Sequence, residues 1–183
     1  LSISEVARDA SVNRKLAESY FEILEDLLIA RRIPVFQKRA KRRLVMHPKF
    51  YLFDVGVYRA IRPSGPLDVP EEIEGAALET LVLQELLAWI DHEQMKLSIY
   101  FWRTSNQQEV DFVLYGEAGF VALEIKRTNR FRRSDLRGLN AFVKDYPTSR
   151  TFLLYQGKES LFPGDHIVLP VDQVLKNPGL LLE

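Results

Sequence analysis

Cysteine is absent from this 183-residue chain. Its absence excludes a disulfide framework and thiolate metal sites, and it fits a reducing compartment, so cytoplasm is the expected address. No apolar run approaches the roughly 20 residues that a membrane-spanning helix needs, and the N-terminus lacks the basic-then-apolar profile of a signal peptide. Neither a membrane partner nor export is expected. Net charge is missing too: 25 basic residues balance 25 acidic ones, so overall electrostatics give no argument for a nucleic-acid partner. His47, His92 and His166 lack metal-ligand spacing. No GxxxxGK(S/T) loop occurs, and Gly157-Lys158-Glu159-Ser160 lacks both the first glycine and the phosphate cradle, so ATP is not expected to bind this chain. Internal repeats and low-complexity tracts are absent as well.

What is present is a 46% apolar composition, which places the chain among globular proteins with a core of good size. The charge is segregated. Residues 31–50 carry eight Lys or Arg (Arg31, Arg32, Lys38, Arg39, Lys41, Arg42, Arg43, Lys49) and no acid, while acids gather in residues 18–26 and 71–93. A second basic cluster comprises Lys126, Arg127, Arg130, Arg132, Arg133 and Arg137. Either cluster suits phosphates, or simply a solvated surface.

Ser2 followed by Glu5 has capping-box spacing for a short helix over residues 4–10, which suggests a chain that opens inside a longer structural unit. A turn over residues 10–13 leads into a second helix, on which Leu16, Tyr20, Ile23, Leu24, Leu27 and Leu28 recur at helical spacing. Residues 33–36 and 43–46 then read as two short strands around the basic turn 37–42, with 50–53 a further apolar segment. Short helix, turn, longer helix and hairpin together describe a partial winged helix over residues 1–62. Asn13, Arg14, Lys15 and Ser19 would address DNA from its second helix, and Lys38, Arg39, Lys41 and Arg42 would meet phosphates from the wing. Glu18, Glu22, Glu25 and Asp26 oppose deep groove insertion, so packing or protein interaction is the alternative role.

Pro63, Ser64, Gly65, Pro66 and Pro70 mark a boundary near residues 62–71. The second domain, 71–183, should hold a helix over 73–90, strands at 98–103, 109–115 and 120–126, a helix over 134–145, and strands at 150–155 and 167–170. That order predicts an α/β fold, a mixed sheet flanked by helices.

The hairpin geometry can be counted. With residues 116–119 as the loop, Tyr115 pairs with Phe120, and stepping back along antiparallel strands sets Asp111 opposite Glu124. On the period-2 rule Lys126 shares the face of Glu124, while Val110, Phe112, Leu114, Val121, Leu123 and Ile125 point to the other, apolar face. Cross-strand side chains lie about 5 Å apart at Cβ, close enough for two carboxylates to share a divalent cation. In the preceding helix, at about 100° per residue, Glu79 falls amid Val82, Leu83, Leu86 and Ile90, with Thr80, Gln84 and Glu85 outside that arc. A core-facing carboxylate requires a cation, a hydrogen-bond network or a raised pKa. The competing reading is a salt-bridge ladder on a solvated face, with an arginine such as Arg103 neutralising Glu79.

Glu79, Asp111 within Glu109-Val110-Asp111-Phe112, and the tripeptide Glu124-Ile125-Lys126 resemble the active-site pattern of the PD-(D/E)XK nuclease superfamily. Val110 stands where the motif's proline would be. The resemblance implies a restriction-endonuclease-like sheet, with Asp111 and Glu124 holding Mg²⁺ or Mn²⁺, Glu79 supporting the metal or its water, and Lys126 activating that water. Residues 44–56 (LVMHPKFYLFDVG), 75–87 (GAALETLVLQELL) and 100–114 (YFWRTSNQQEVDFVL) further resemble the C-terminal half of prokaryotic AAA-type ATPases. That resemblance implies an upstream ATPase module; DNA and copies of the same chain are the other candidate partners. Two functions follow: a metal-dependent DNA nuclease module, in which Arg127 beside the site joins the nucleic-acid contacts, or a non-catalytic DNA- or protein-binding module that regulates the ATPase.

Overall fold

The computed structural model describes residues 2–40, 42–62, 65 and 69–183. Lys41 and the boundary residues Pro63, Ser64 and Pro66 therefore lie outside the described residues. Helix α1 (Ile3–Asp9) starts where the Ser2 hydroxyl accepts from the Glu5 amide, and α2 (Arg14–Asp26) starts where the Asn13 side chain accepts from Leu16 N at 2.8 Å. Both are ordinary N-caps, which satisfy amides the helix leaves free. Strand β1 (Ala30–Ile33) pairs antiparallel with β2 (Lys49–Leu52), and α3 (Val55–Ile61) follows, capped by Asp54.

This pairing corrects the expected wing. Residues 33–36 and 43–46 do not form a hairpin with each other. Instead residues 35–36 and 44–45 pair with the second part of the molecule: Val35 bridges Phe101 and Leu44 bridges Thr104. Phe36 N donates to Phe101 O at 2.7 Å and Val45 N to Arg103 O at 2.9 Å. The physical reason is an open sheet edge, whose unpaired N–H and C=O groups take up any strand-like segment within reach. Phe36, 1% exposed, secures the pairing by packing against Tyr100, Tyr115, Phe120, Phe142 and Tyr146.

Helix α4 (Pro70–His92) carries Glu71 and Glu72 in its first turn, where they favour the helix dipole. The sheet follows, with β3 (Leu97–Arg103), β4 (Glu109–Gly116), β5 (Gly119–Lys126), β6 (Arg150–Tyr155) and β7 (Ile167–Pro170) side by side in that order. β3, β4 and β5 are antiparallel neighbours, while β5–β6 and β6–β7 run parallel. A 3₁₀ turn at Arg133–Leu136 leads into α5 (Arg137–Asp145), which makes the crossover from β5 to β6. Helix α6 (Val171–Lys176) and a last 3₁₀ turn, Pro178–Leu181, end the chain. This is the expected α/β architecture with a five-stranded mixed sheet.

Helices cover both faces. On one, Phe112, Leu114, Leu123 and Ile125 meet Val82, Leu83 and Leu86 of α4, together with Ile33 and Tyr51. On the other, Val113, Ala122 and Leu153 meet Leu139 and Phe142 of α5, with Phe36 and Trp102. Thr80, expected outside the buried arc of α4, is 3% exposed, its hydroxyl donating to Ala76 O at 2.8 Å. That local bond leaves the buried hydroxyl with a partner. Among the described residues no helix is long and apolar enough to cross a membrane.

Candidate functional site

The β4–β5 hairpin forms with Tyr115 opposite Phe120, and the count holds back to Phe112 opposite Leu123. One step further the ladder changes. Tyr100 of β3 faces Val113 but Trp102 faces Val110, so two β4 residues, Asp111 and Phe112, stand opposite the single Phe101. Such a bulge re-aims side chains. Val110 consequently joins Trp102, Val113 and Ala122 on the α5 face, not the α4 face expected from strict alternation. The Asp111 carboxylate takes over part of the ladder's hydrogen bonding: its Oδ2 accepts from Ile125 N at 2.8 Å.

The four residues expected to carry the chemistry do line one cleft. Glu79, Asp111, Glu124 and Lys126 border an open cavity of about 910 Å³, which residues 106–108 and Arg137 and Gly138 at the start of α5 also line. Asp111 and Glu124 are buried, each 7% exposed, and the Glu79 side chain is 27% exposed. Glu124 Oε1 lies 2.6 Å from Lys126 Nζ, whereas its Oε2 is buried and has no hydrogen-bond partner among the described residues. A buried, unpartnered carboxylate oxygen is costly and calls for a cation or a proton. Gly138 permits this arrangement: a Cβ there would come 1.9 Å from Glu109 O and 3.3 Å from Glu124 Oε2.

Lys49, Tyr51 and Glu109 belong to the same cluster, and none of them figured among the expected site residues. Lys49 Nζ lies 2.5 Å from Glu109, 3.4 Å from Asp111 and 3.6 Å from Glu79. The Tyr51 hydroxyl donates to Glu79 Oε2 at 3.1 Å. Glu79 is thus neutralised by Lys49, whereas Arg103 pairs with Glu109 at 3.5 Å. One signal pointed this way: Lys49 and Tyr51 alternate on one strand, so they share a face. Their strand is remote in sequence from the acids, and local periodicity carries no information about such a meeting.

Burial, reinforced by the charge of Asp111, raises the Glu79 carboxyl to about 7 against the opposing Lys49. The same two causes hold Glu124 well above the usual carboxylate range, with Lys126 opposing. For the Lys49 ammonium, burial acts downward, but Asp111, Glu79 and Glu109 outweigh it and raise the group above an ordinary lysine. The donors are hard oxygens of the kind that Mg²⁺ or Mn²⁺ selects, and the orphaned Glu124 Oε2 adds a free one, so the residues fit such an ion chemically. Among the described residues, as they stand, no three acidic or histidine side chains converge to hold a metal. Lys49 Nζ fills the space between three of the acids.

Among the described residues, those expected to touch nucleic acid do not gather at the cleft. Asn13 is engaged as a cap, and Arg14 and Lys15 are exposed on α2. Lys38 Nζ lies over the Tyr115 ring at 4.3 Å, and Arg39 is exposed with φ 52. Arg42 is committed to the buried carboxylate of Asp145 at 2.9 Å and to Gln108, and Arg127 is exposed beyond Lys126. From the second basic cluster Arg137 reaches the cleft wall. His166 is held by Thr151 and Asn140 inside the fold, a structural role.

Residues 74–174 match the family described as a domain of unknown function, DUF4143, and residues 1–68 match a second, DUF8612. Uncharacterized proteins of Mycobacterium tuberculosis and Mycobacterium bovis are each 27% identical over 175 residues, covering 94% of this chain and 38% of theirs. The chain therefore spans well under half the length of these relatives. With the first match extending over more than half of its residues, the chain belongs to the DUF4143 family, which is typically found at the C-termini of AAA-ATPase-like proteins.

Proposed function

We propose that the cleft is a divalent-metal-dependent phosphodiesterase site for DNA, carried as a nuclease-like module by a longer AAA-type ATPase. The observation that carries the reading is the buried Glu124 Oε2 without a partner, set beside Asp111 and Lys126 in a polar cleft. Asp111 and Glu124 would hold Mg²⁺ or Mn²⁺, with Glu79 supporting it. Such an ion, when bound, lowers the pKa of water and offsets charge developing on phosphorus.

The chain's own residues supply the rest. Lys126, 39% exposed at its side chain, presents a positive charge where a phosphodiester oxygen can approach while Glu124 holds its Nζ in place. Arg137, which also lines the cleft, offers a second phosphate contact, and Asn106 to Gln108 offer neutral donors and acceptors. Asp111, fixed by the Ile125 amide, loses little freedom on binding an ion. ATP would bind elsewhere in the longer protein.

Cleavage of plasmid and linear DNA with Mg²⁺ or Mn²⁺ tests this directly. Asp111→Ala and Lys126→Ala should each reduce the rate by about 10²-fold or more, the usual loss for one charge-stabilising group. Cleavage that is indifferent to metal or to both substitutions would end the catalytic reading.

Lys49 favours a second reading, because an ammonium that neutralises three carboxylates lets the cleft exist without metal or chemistry. The domain would then serve the ATPase as a DNA- or protein-binding platform. Calorimetric titration with Mn²⁺ separates the two, since a platform of this kind takes up no ion.

A further inference from the structure

Lys49 reaches the cleft from outside the sheet that carries Glu109, Asp111, Glu124 and Lys126. Its strand, β2, is bound to β1 and not to the sheet. The lysine is nevertheless firmly placed. Tyr51, two residues on and 8% exposed, packs its ring on Phe112 at 5.7 Å and donates to Glu79, while the Lys49 ammonium lies 5.8 Å from the Phe101 ring centroid. The Lys49 side chain is only 21% exposed, and an ammonium so buried persists only when paired. Its three partners include Asp111 and Glu79, two of the acids needed by a divalent ion. An ammonium and a divalent ion seek the same hard oxygens and repel each other at these separations.

We infer that Lys49 is a resident cation of the cleft, competing with the divalent ion for Asp111 and Glu79, so that metal binding displaces it and β2 sets the metal affinity of the site. The inference rests on the proposed metal site. It assigns to the N-terminal part of the chain a control over the cleft that the four acids and Lys126 do not contain. Loss of the Lys49 charge should tighten metal binding, although the same loss would ordinarily be expected to disrupt a site.

Mn²⁺ titration of the 183-residue chain, followed by electron paramagnetic resonance, tests the inference on wild type, Lys49→Met and Lys49→Arg. Met keeps the stem and removes the charge, so Lys49→Met should bind Mn²⁺ about tenfold more tightly or better, whereas Lys49→Arg should stay near wild type. A folded Lys49→Met chain that binds Mn²⁺ no more tightly than wild type would overturn the inference, as would absence of Mn²⁺ binding by both. Should Lys49→Met fail to fold, acylation of wild-type Lys49, read by peptide mass spectrometry, decides. Its rate must rise when Mn²⁺ is added, and an unchanged rate refutes displacement. Tighter binding by Lys49→Met with no DNA cleavage by either chain would uphold the inference and remove the nuclease reading. Cleavage and Mn²⁺ binding by wild type, with no gain in Lys49→Met, would do the reverse.

Discussion

Glu79 shows how one side chain can carry the tension of the whole cleft. Helical phase turns it toward the core, yet its carboxylate stops at the cleft wall, 27% exposed, held by Tyr51 and Lys49. Burial and Asp111 raise its pKa to about 7, from an ordinary value of 4.5. In the window between those values the folded chain binds more protons than the unfolded one, so stability falls as pH rises through it. Above about 7 the penalty is complete. Glu79→Gln removes the titration. In metal-free denaturant unfolding, wild type should lose on the order of 2 kcal/mol relative to Glu79→Gln between pH 5 and 8. Parallel curves for the two chains would show that Glu79 is not strained by its setting.

Elements explain which parts of the site were readable. The hairpin was, because a tight turn and period-2 alternation are local, and β6 and β7 fall where their apolar runs lie. The bulge at Asp111 was not, since it exists only relative to β3, where two residues face Phe101. Nor was the pairing of residues 35–36 and 44–45, whose partner is a sheet edge about 60 residues away. On α2 and its C-cap Leu27 the periodic stripe is present, but Leu16, Tyr20, Ile23 and Leu27 are 40–62% exposed. Periodicity reports that a stripe exists, not what it faces. The approach of α5 to β4 offers a test at this scale. Gly→Ala inside a helix ordinarily stabilises by up to about 1 kcal/mol. At Gly138 the added Cβ would meet Glu109 O at 1.9 Å. Gly138→Ala should therefore destabilise, by about 1–3 kcal/mol, as overpacked sites do. A raised melting temperature would contradict the close approach.

At the scale of the whole molecule, the cleft is built by both parts of the chain. Glu79, Asp111, Glu124 and Lys126 could be named from helical phase, a hairpin count and a resemblance, because each signal lies within a single element or a pair of neighbours. Lys49 could not: its meeting with Asp111 spans 62 positions and depends on β2 docking beside α4. Two cations thus compete in one account, a lysine seen among the acids and a divalent ion proposed for them. A crystal of the chain soaked in Mn²⁺, with anomalous scattering recorded, addresses both at once. An anomalous peak bonded to Asp111 and Glu124, with Lys49 Nζ withdrawn from Asp111, is the predicted result. Lys49 in place, with no peak at these carboxylates, would contradict it.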